Sequence, residues 1–427
     1  MINSIPDSIN VSIEKLVYGG DGLARTNYGV ILIPNTAPGD YIRISSIHKR
    51  KGILRGRLVD IIRHSRYRTI PFCEHFLEGC GGCQWQHIDY SQQIEIKRKI
   101  VEESINRIAK SSFTFPPLVF DPEFKGTRLR GMLHISHKSS EVGFYRLNSN
   151  DIVPITECPM IVSSVSNAIF VLKVDSFFLK YTDSVRFITN GRDIYFNIEG
   201  RIENKKRYLY EIYESLMQRK DLSIGLTCSK GRNDRLFVGA SHIEFSIDDF
   251  KYLVNGRTFF QGHITLYKKI IEIIRGLVDY KGSGLLLDLF CGVGFLSISV
   301  ASYFDRVIGI DNNRESLRLA KENAKRNKIK NMEFYRQDIL SKPCFLNIRS
   351  ADVVIVDPPR RGCPKILMEK LIQLNAHQII MVSCDPTTMA RDIKVLIDNG
   401  YKMITGQTID LFPQTFHIET IVSLSKA

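Results

Sequence analysis

From Leu285 to the end, the chain repeats one unit: a short, continuously apolar run, a turn, then a stretch with helical apolar spacing. The runs read as strands at Leu285 to Leu289, Val307 to Asp311, Met332 to Tyr335, Val353 to Asp357, Gln378 to Ser383 and Lys402 to Asp410, with Thr420 to Leu424 closing. Helical spacing fits Phe295 to Tyr303, Arg314 to Asn327, Pro364 to Leu374 and Thr387 to Asn399. Strands that are apolar on both faces must be covered on both faces, so a doubly wound, mostly parallel α/β sheet is expected from about residue 256 onward. Such sheets bind ligands at the carboxyl ends of their strands, and the reactive residue types of this chain collect there.

One strand end carries the loop Asp288-Leu289-Phe290-Cys291-Gly292-Val293-Gly294, which opens a helix. Its glycines let the backbone approach a ligand, and the helix start faces it. Twenty residues after Cys291, Asp311 ends the next strand, where a carboxylate can accept hydrogen bonds from ribose hydroxyls. A dinucleotide loop would read Gly-x-Gly-x-x-Gly, but Ser297 occupies the third glycine position. The acid before a two-glycine loop points to S-adenosylmethionine rather than a nicotinamide. Cys291 reads as a packing residue.

Upstream, Val11 to Val17, Gly29 to Ile33, Tyr41 to Ser46 and Leu58 to Ile62 are short β-rich runs. They are separated by the turn signals Gly19-Gly20-Asp21-Gly22 and Pro34 to Asp40. They suit an OB-like barrel over residues 1–62. A cysteine-rich loop and a helix from about Ser91 to Lys110, with Ser91 as its N-cap, follow in a central α+β region over 63–255. Tyr208 to Arg219 reads as another helix. The formal net charge is +14, and Arg43, Lys49, Arg50, Lys51, Arg55, Arg57, Arg63, Arg66 and Arg68 crowd one stretch against the single acid Asp60. That density fits a polyanion such as RNA. No secretory leader or run of roughly 18 apolar residues is present, so a cytoplasmic protein with no membrane partner is expected.

Three further stretches stand at strand ends: Asp357-Pro358-Pro359-Arg360-Arg361-Gly362, Ser383-Cys384-Asp385-Pro386 and Phe412-Pro413-Gln414-Thr415-Phe416-His417-Ile418-Glu419. Read together with Ala390-Arg391-Asp392, they resemble the RNA uracil-5-methyltransferases, from Ile13 to Leu424. The resemblance implies a Rossmann-like methyltransferase domain at 256–427 that makes 5-methyluridine from S-adenosylmethionine. It also implies Cys384 as the nucleophile on carbon 6 of uracil and Glu419 as the base that removes the carbon 5 proton. Gln261, Phe290, Gly292, Gly294, Phe295, Asp311, Asp338 and Asp357 would contact cofactor or base. Phe295, Asp311 and His263 stand where some relatives carry Asn, Glu and Asn. The helix start at Asp385-Pro386 is expected to lower the pKa of Cys384.

Cys73, Cys80, Cys83 and, farther on, Cys158 could hold either a cluster or zinc by residue type. The resemblance implies a [4Fe–4S] cluster. Cys228, Cys344 and Cys363 have no partners in sequence and are expected to be inert. By the same resemblance, the barrel is a TRAM-like RNA-binding domain, the substrate is 23S ribosomal RNA with transfer RNA as the alternative, and the protein is a monomer. Methylation of an exocyclic amine, or a noncatalytic RNA-binding assembly factor, would need no thiol at position 384.

Overall fold

The computed structural model describes residues 6–200, 205–217, 224–229, 235–279, 284–343, 345 and 348–426. Cys344 lies outside them, as do residues 218 and 219 of the expected helix, which is seen as Lys205–Met217. Cys228 lies on a described strand, but its side chain is not described.

The first sheet has six strands in the order Ser8–Ser12, Tyr41–Arg50, Ile53–Arg63, Gly29–Ile33, Gly22–Thr26, Lys15–Leu16. Its two end strands are separated by only two residues, so one bent segment joins both edges and closes the sheet into a small barrel. Val11, Ile13, Ala24, Ile31, Ile33, Ile42 and Ile44 fill it. Gly22–Thr26 was not foreseen; Gly, Arg and Thr break its apolar alternation, and it forms as the hairpin partner of Gly29–Ile33. Arg43, Lys49, Arg50, Lys51, Arg57 and Arg63 are exposed. Of the other three basic residues, Arg55 pairs with Asp21 at 2.5 Å, Arg68 with Asp40 at 2.9 Å, and the exposed Arg66 donates to the Tyr67 hydroxyl at 2.7 Å.

A second, seven-stranded sheet spans the region between Arg130 and Gly239. The third sheet has the order Met332–Arg336, Arg306–Asp311, Leu285–Leu289, Val353–Val356, Gln378–Ser383, Glu419–Lys426, Tyr401–Ile409. Its first five strands are parallel, and Glu419–Lys426 runs antiparallel to both neighbours. The fold is therefore the expected mixed α/β one. Strand order reverses between Leu285–Leu289 and Val353–Val356, which opens the crevice where such sheets bind ligands.

The helix after the cysteine loop is Tyr90–Ile108, and its N-cap is Asp89 rather than Ser91: the Asp89 carboxylate accepts the Ser91 N–H. Its buried residues Ile100, Val101 and Ile105 share one core with Leu287, Val354, Met381, Met389 and Ile393 of the third sheet and its covering helix Pro386–Asp398. Trp85 and Leu16 belong to the same core, so barrel, cysteine loop and third sheet pack as neighbours. Among the described residues, no helix is long and apolar enough to cross a membrane.

Candidate active site

The register of the third sheet assembles the site. Ser383 pairs with Thr420 across antiparallel strands, so the next residues outward, Cys384 and Glu419, meet at the same edge. Met381 pairs with Val356, which brings Asp357 to that edge, and Val356 in turn pairs with Leu289, just before the glycine loop. An antiparallel strand starts where its parallel neighbours end, which is how the last strand delivers an acid beside a thiol.

In the glycine loop, Phe290, Gly292 and Gly294 all have positive φ (64°, 54° and 82°). The Gly292 N–H donates to Asp311 Oδ2 at 2.9 Å, and the Asn313 N–H to Oδ1 at 2.7 Å, which fixes that carboxylate beside the loop. The Ser297 hydroxyl donates to the buried Asp288 carboxylate. The residue in the third glycine position thus serves the acid of its own loop. Burial and the neighbouring Asp357 and Asp311 charges push Asp288 up to about 7 against the Ser297 hydrogen bond.

Gln261 is buried, and its Oε1 has no partner among the described residues. An acceptor left unsatisfied inside a protein costs about 1–3 kcal/mol, and a bound ligand could satisfy it. The Phe295 ring is buried against Tyr252, Phe260 and Tyr267, with centroids 5.3, 5.1 and 5.9 Å away, so it forms wall rather than an open contact face. Asp338 is exposed after Met332–Arg336 and accepts from the Ser341 hydroxyl at 2.7 Å. His263 is buried, and that burial pushes its pKa down to about 4.

The Cys384 thiol is pushed up to about 11, first by burial, then by the Glu419 and Asp357 carboxylates, against the Arg360 guanidinium. This corrects the expectation of a lowered pKa. The helix start cannot serve the thiolate because the Asp385 carboxylate takes the Thr387 and Thr388 N–H groups at 2.9 and 3.0 Å. Glu419 is buried and raised well above the ordinary glutamate value, by burial and by Asp357, with Arg360 opposing. Asp357 itself is pushed up to about 7, by burial and the Asp311 charge.

Arg360 is the cation of the site, and sequence reading gave it no role. The covering helix holds its loop. Thr388 Oγ1 donates to the Arg360 carbonyl at 3.1 Å, Arg391 Nη2 to the Arg361 carbonyl at 3.1 Å, and the Cys363 N–H to Asp392 Oδ2 at 2.7 Å. Gly362 has φ +71°, and a Cβ there would lie 2.5 Å from Arg391 and 2.6 Å from Asp392. Only glycine fits that turn. Arg360 also reaches His417 Nε2 at 3.4 Å, and His417 is kept neutral, pushed down to about 3 by burial and then by Arg360.

Cys73, Cys80, Cys83 and Cys158 line one cavity. Gly81 runs so close to the neighbouring strand that a Cβ would sit 2.8 Å from the Tyr145 carbonyl, which explains the glycine directly after the second thiol. Burial pushes Cys80 up to about 11 and raises Cys73 and Cys158. Among the described residues, no three His, Cys, Asp or Glu side chains come together in a form that could hold a metal ion. The loop is tied directly to the segment that leads to Glu419: the Gln84 and Trp85 N–H groups both donate to the Gln414 carbonyl, at 2.9 and 3.0 Å. Cys291 and Cys363 are buried and free.

The family model described as tRNA (Uracil-5-)-methyltransferase matches residues 89–427. An uncharacterized RNA methyltransferase of Thermotoga maritima is 28% identical over 97% of this chain and 98% of its own length. One from Clostridium acetobutylicum is 28% identical over 95% and 94%. The crystal structure of Pyrococcus abyssi tRNA (uracil-54, C5)-methyltransferase in complex with S-adenosyl-L-homocysteine superposes with a TM-score of 0.75 and 26% identity, over 97% of this chain and 100% of that one.

Proposed function

Because the chain belongs to the RNA uracil-5-methyltransferase family and is an S-adenosylmethionine-dependent RNA methyltransferase, we propose that it methylates carbon 5 of a uridine through a covalent bond from Cys384. The observation that carries this reading is the meeting of a thiol, two raised carboxylates and one arginine at a single strand edge beside the glycine loop.

Carbon 5 of uracil is a poor nucleophile. Addition of the Cys384 sulfur to carbon 6, with loss of the thiol proton, pushes an electron pair onto carbon 5. S-adenosylmethionine supplies an electrophilic methyl group. After carbon 5 has taken that methyl, Glu419 removes the carbon 5 proton, and the electron pair left behind expels the Cys384 thiolate and restores the double bond. A raised pKa makes Glu419 a stronger base once ionised, and the Arg360 guanidinium favours that ionised form. Gln261, with its free Oε1, Asp338 and Asp357 are assigned to cofactor or base, as are Phe290, Gly292, Gly294, Phe295 and Asp311. The uridine must leave any stack to enter, at least cost in a loop.

The exposed basic strands of the barrel support RNA as the ligand of that domain, assigned here to residues 1–62, with the central domain at 63–255 and the methyltransferase domain at 256–427. We assign the substrate to 23S ribosomal RNA, on the likeness of barrel and cysteine loop to relatives that modify it. Transfer RNA is the second reading, favoured by the Pyrococcus abyssi neighbour. The four thiols that line one cavity are assigned to a [4Fe–4S] cluster on the likeness of the cysteine loop to relatives, with zinc as the alternative. Mapping 5-methyluridine across total RNA with and without the gene tests the assignment. Loss from 23S ribosomal RNA supports it, loss from transfer RNA favours the second reading, and loss from neither overturns both.

A further inference from the structure

A tyrosine of the barrel enters the active site. The Tyr18 hydroxyl donates to the carbonyl of Cys384 at 2.9 Å, across 366 residues of chain. The Tyr18 ring packs edge-on against Phe416, with centroids 5.6 Å apart and planes at 88°, in the loop that leads to Glu419. The residues that follow Tyr18 are equally seated: Trp85 Nε1 donates to the Gly20 carbonyl at 3.2 Å, and a Cβ at Gly20 would touch Phe416 at 3.2 Å and Trp85 at 3.4 Å. Gly20 has φ +93°, a backbone conformation that favours glycine.

The hydroxyl senses the charges of the site. Its pKa is raised first by burial, then by Asp385, Cys384 and Glu419, with Arg360 opposing, so it remains a donor at any working pH. Cys384 sits between the strand end at Ser383 and the helix start at Pro386. Ser383 Oγ accepts the Asp385 N–H at 3.1 Å, while the Cys384 carbonyl is held from the barrel. The family match begins at residue 89, so Tyr18 lies outside it.

We propose that Tyr18 is a positioning residue for Cys384, so that the N-terminal barrel forms part of the active site in addition to carrying RNA. This rests on the reading of Cys384 as the nucleophile. A hydrogen bond to the carbonyl fixes the direction of the Cα–Cβ bond and hence the line of attack of the sulfur on carbon 6. Misplacing a reacting atom by about 1 Å can cost on the order of a hundredfold in rate.

The test compares the wild-type protein with Tyr18→Phe, which keeps the ring on Phe416 and removes only the hydroxyl. Single-turnover adduct formation is followed with saturating S-adenosylmethionine and 5-fluorouridine-substituted transcripts of 23S ribosomal and transfer RNA. RNA affinity is measured separately. The expected result is adduct formation about tenfold slower with RNA Kd changed less than about twofold. An unchanged rate in Tyr18→Phe overturns the proposal, whatever Tyr18→Ala does. So does a loss confined to RNA affinity, which would make Tyr18 an RNA contact. Absence of any adduct from the wild-type protein is a separate result that removes the nucleophile reading itself.

Discussion

The Lys97 ammonium and the Asp410 carboxylate are both fully buried and 2.6 Å apart. Lys97 also donates to the Phe412 carbonyl at 3.1 Å, and the Tyr90 hydroxyl to Asp410 Oδ2 at 3.1 Å. The pair pins the helix Tyr90–Ile108 to the loop that ends in Glu419. Removing one member of a buried pair leaves the other charged and unpaired, typically at about 3–5 kcal/mol. Lys97→Met is therefore expected to lower unfolding stability by that order in urea titrations, and Lys97→Met/Asp410→Leu to recover part of it.

Alkylation of Cys384 should rise with pH well beyond the range of an ordinary thiol, because its thiolate forms only near pH 11. Iodoacetamide labelling, read by peptide mass spectrometry, is expected to increase about tenfold per pH unit between about pH 7 and 9. Arg360→Ala removes the opposing cation and should slow labelling at pH 8. Glu419→Gln removes a carboxylate that disfavours the thiolate and should speed it. Changes of the same sign in both variants would contradict the electrostatic account.

Asp357 is held near 7 in the folded protein, against about 3.9 in an unfolded chain. Its folded pKa is raised, so the stability it contributes is full below about pH 4 and is lost as pH rises through 7. Asp357→Asn should thus be more stable than the wild type at pH 8, by about 1–3 kcal/mol, and nearly equal to it at pH 4. Thermal unfolding at the two values checks the sign.

Much of the third sheet was legible because its strands are apolar on both faces and its turns carry Gly, Pro and Asp. The strand ends at Asp311 and Ser383 were readable for the same reason, whereas Glu419, which opens the last strand one residue before the expected Thr420, came from the family resemblance. What could not be read was long-range. The Tyr18 hydroxyl meets Cys384 across the whole chain, and only the Gly-Gly after Tyr18 hinted that a turn had to fit somewhere tight. The direction of the Cys384 shift failed because a helix start is helpful only while its N–H groups are free, and the next residue, Asp385, had claimed them. The strand Gly22–Thr26 escaped because pairing, rather than its own composition, makes it a strand.

Cys80→Ser should abolish bound iron and visible absorbance in protein purified without oxygen. Because Gln84 and Trp85 hold the Gln414 carbonyl, the same variant should also lose methylation activity while retaining S-adenosylmethionine binding. Stoichiometric zinc in the wild-type protein, measured by elemental analysis, would contradict the cluster assignment.

The central claim is that Cys384 forms a bond to RNA. Carbon 5 of 5-fluorouridine carries fluorine where Glu419 would take a proton, so the adduct cannot be resolved and should survive denaturation. Incubation with S-adenosylmethionine and 5-fluorouridine-substituted RNA, followed by nuclease and peptide mass spectrometry, is predicted to place a methylated nucleotide on the peptide that contains Cys384, and none on Cys384→Ala. Methylation by Cys384→Ala at the wild-type rate, or an adduct on any other cysteine, would contradict the account.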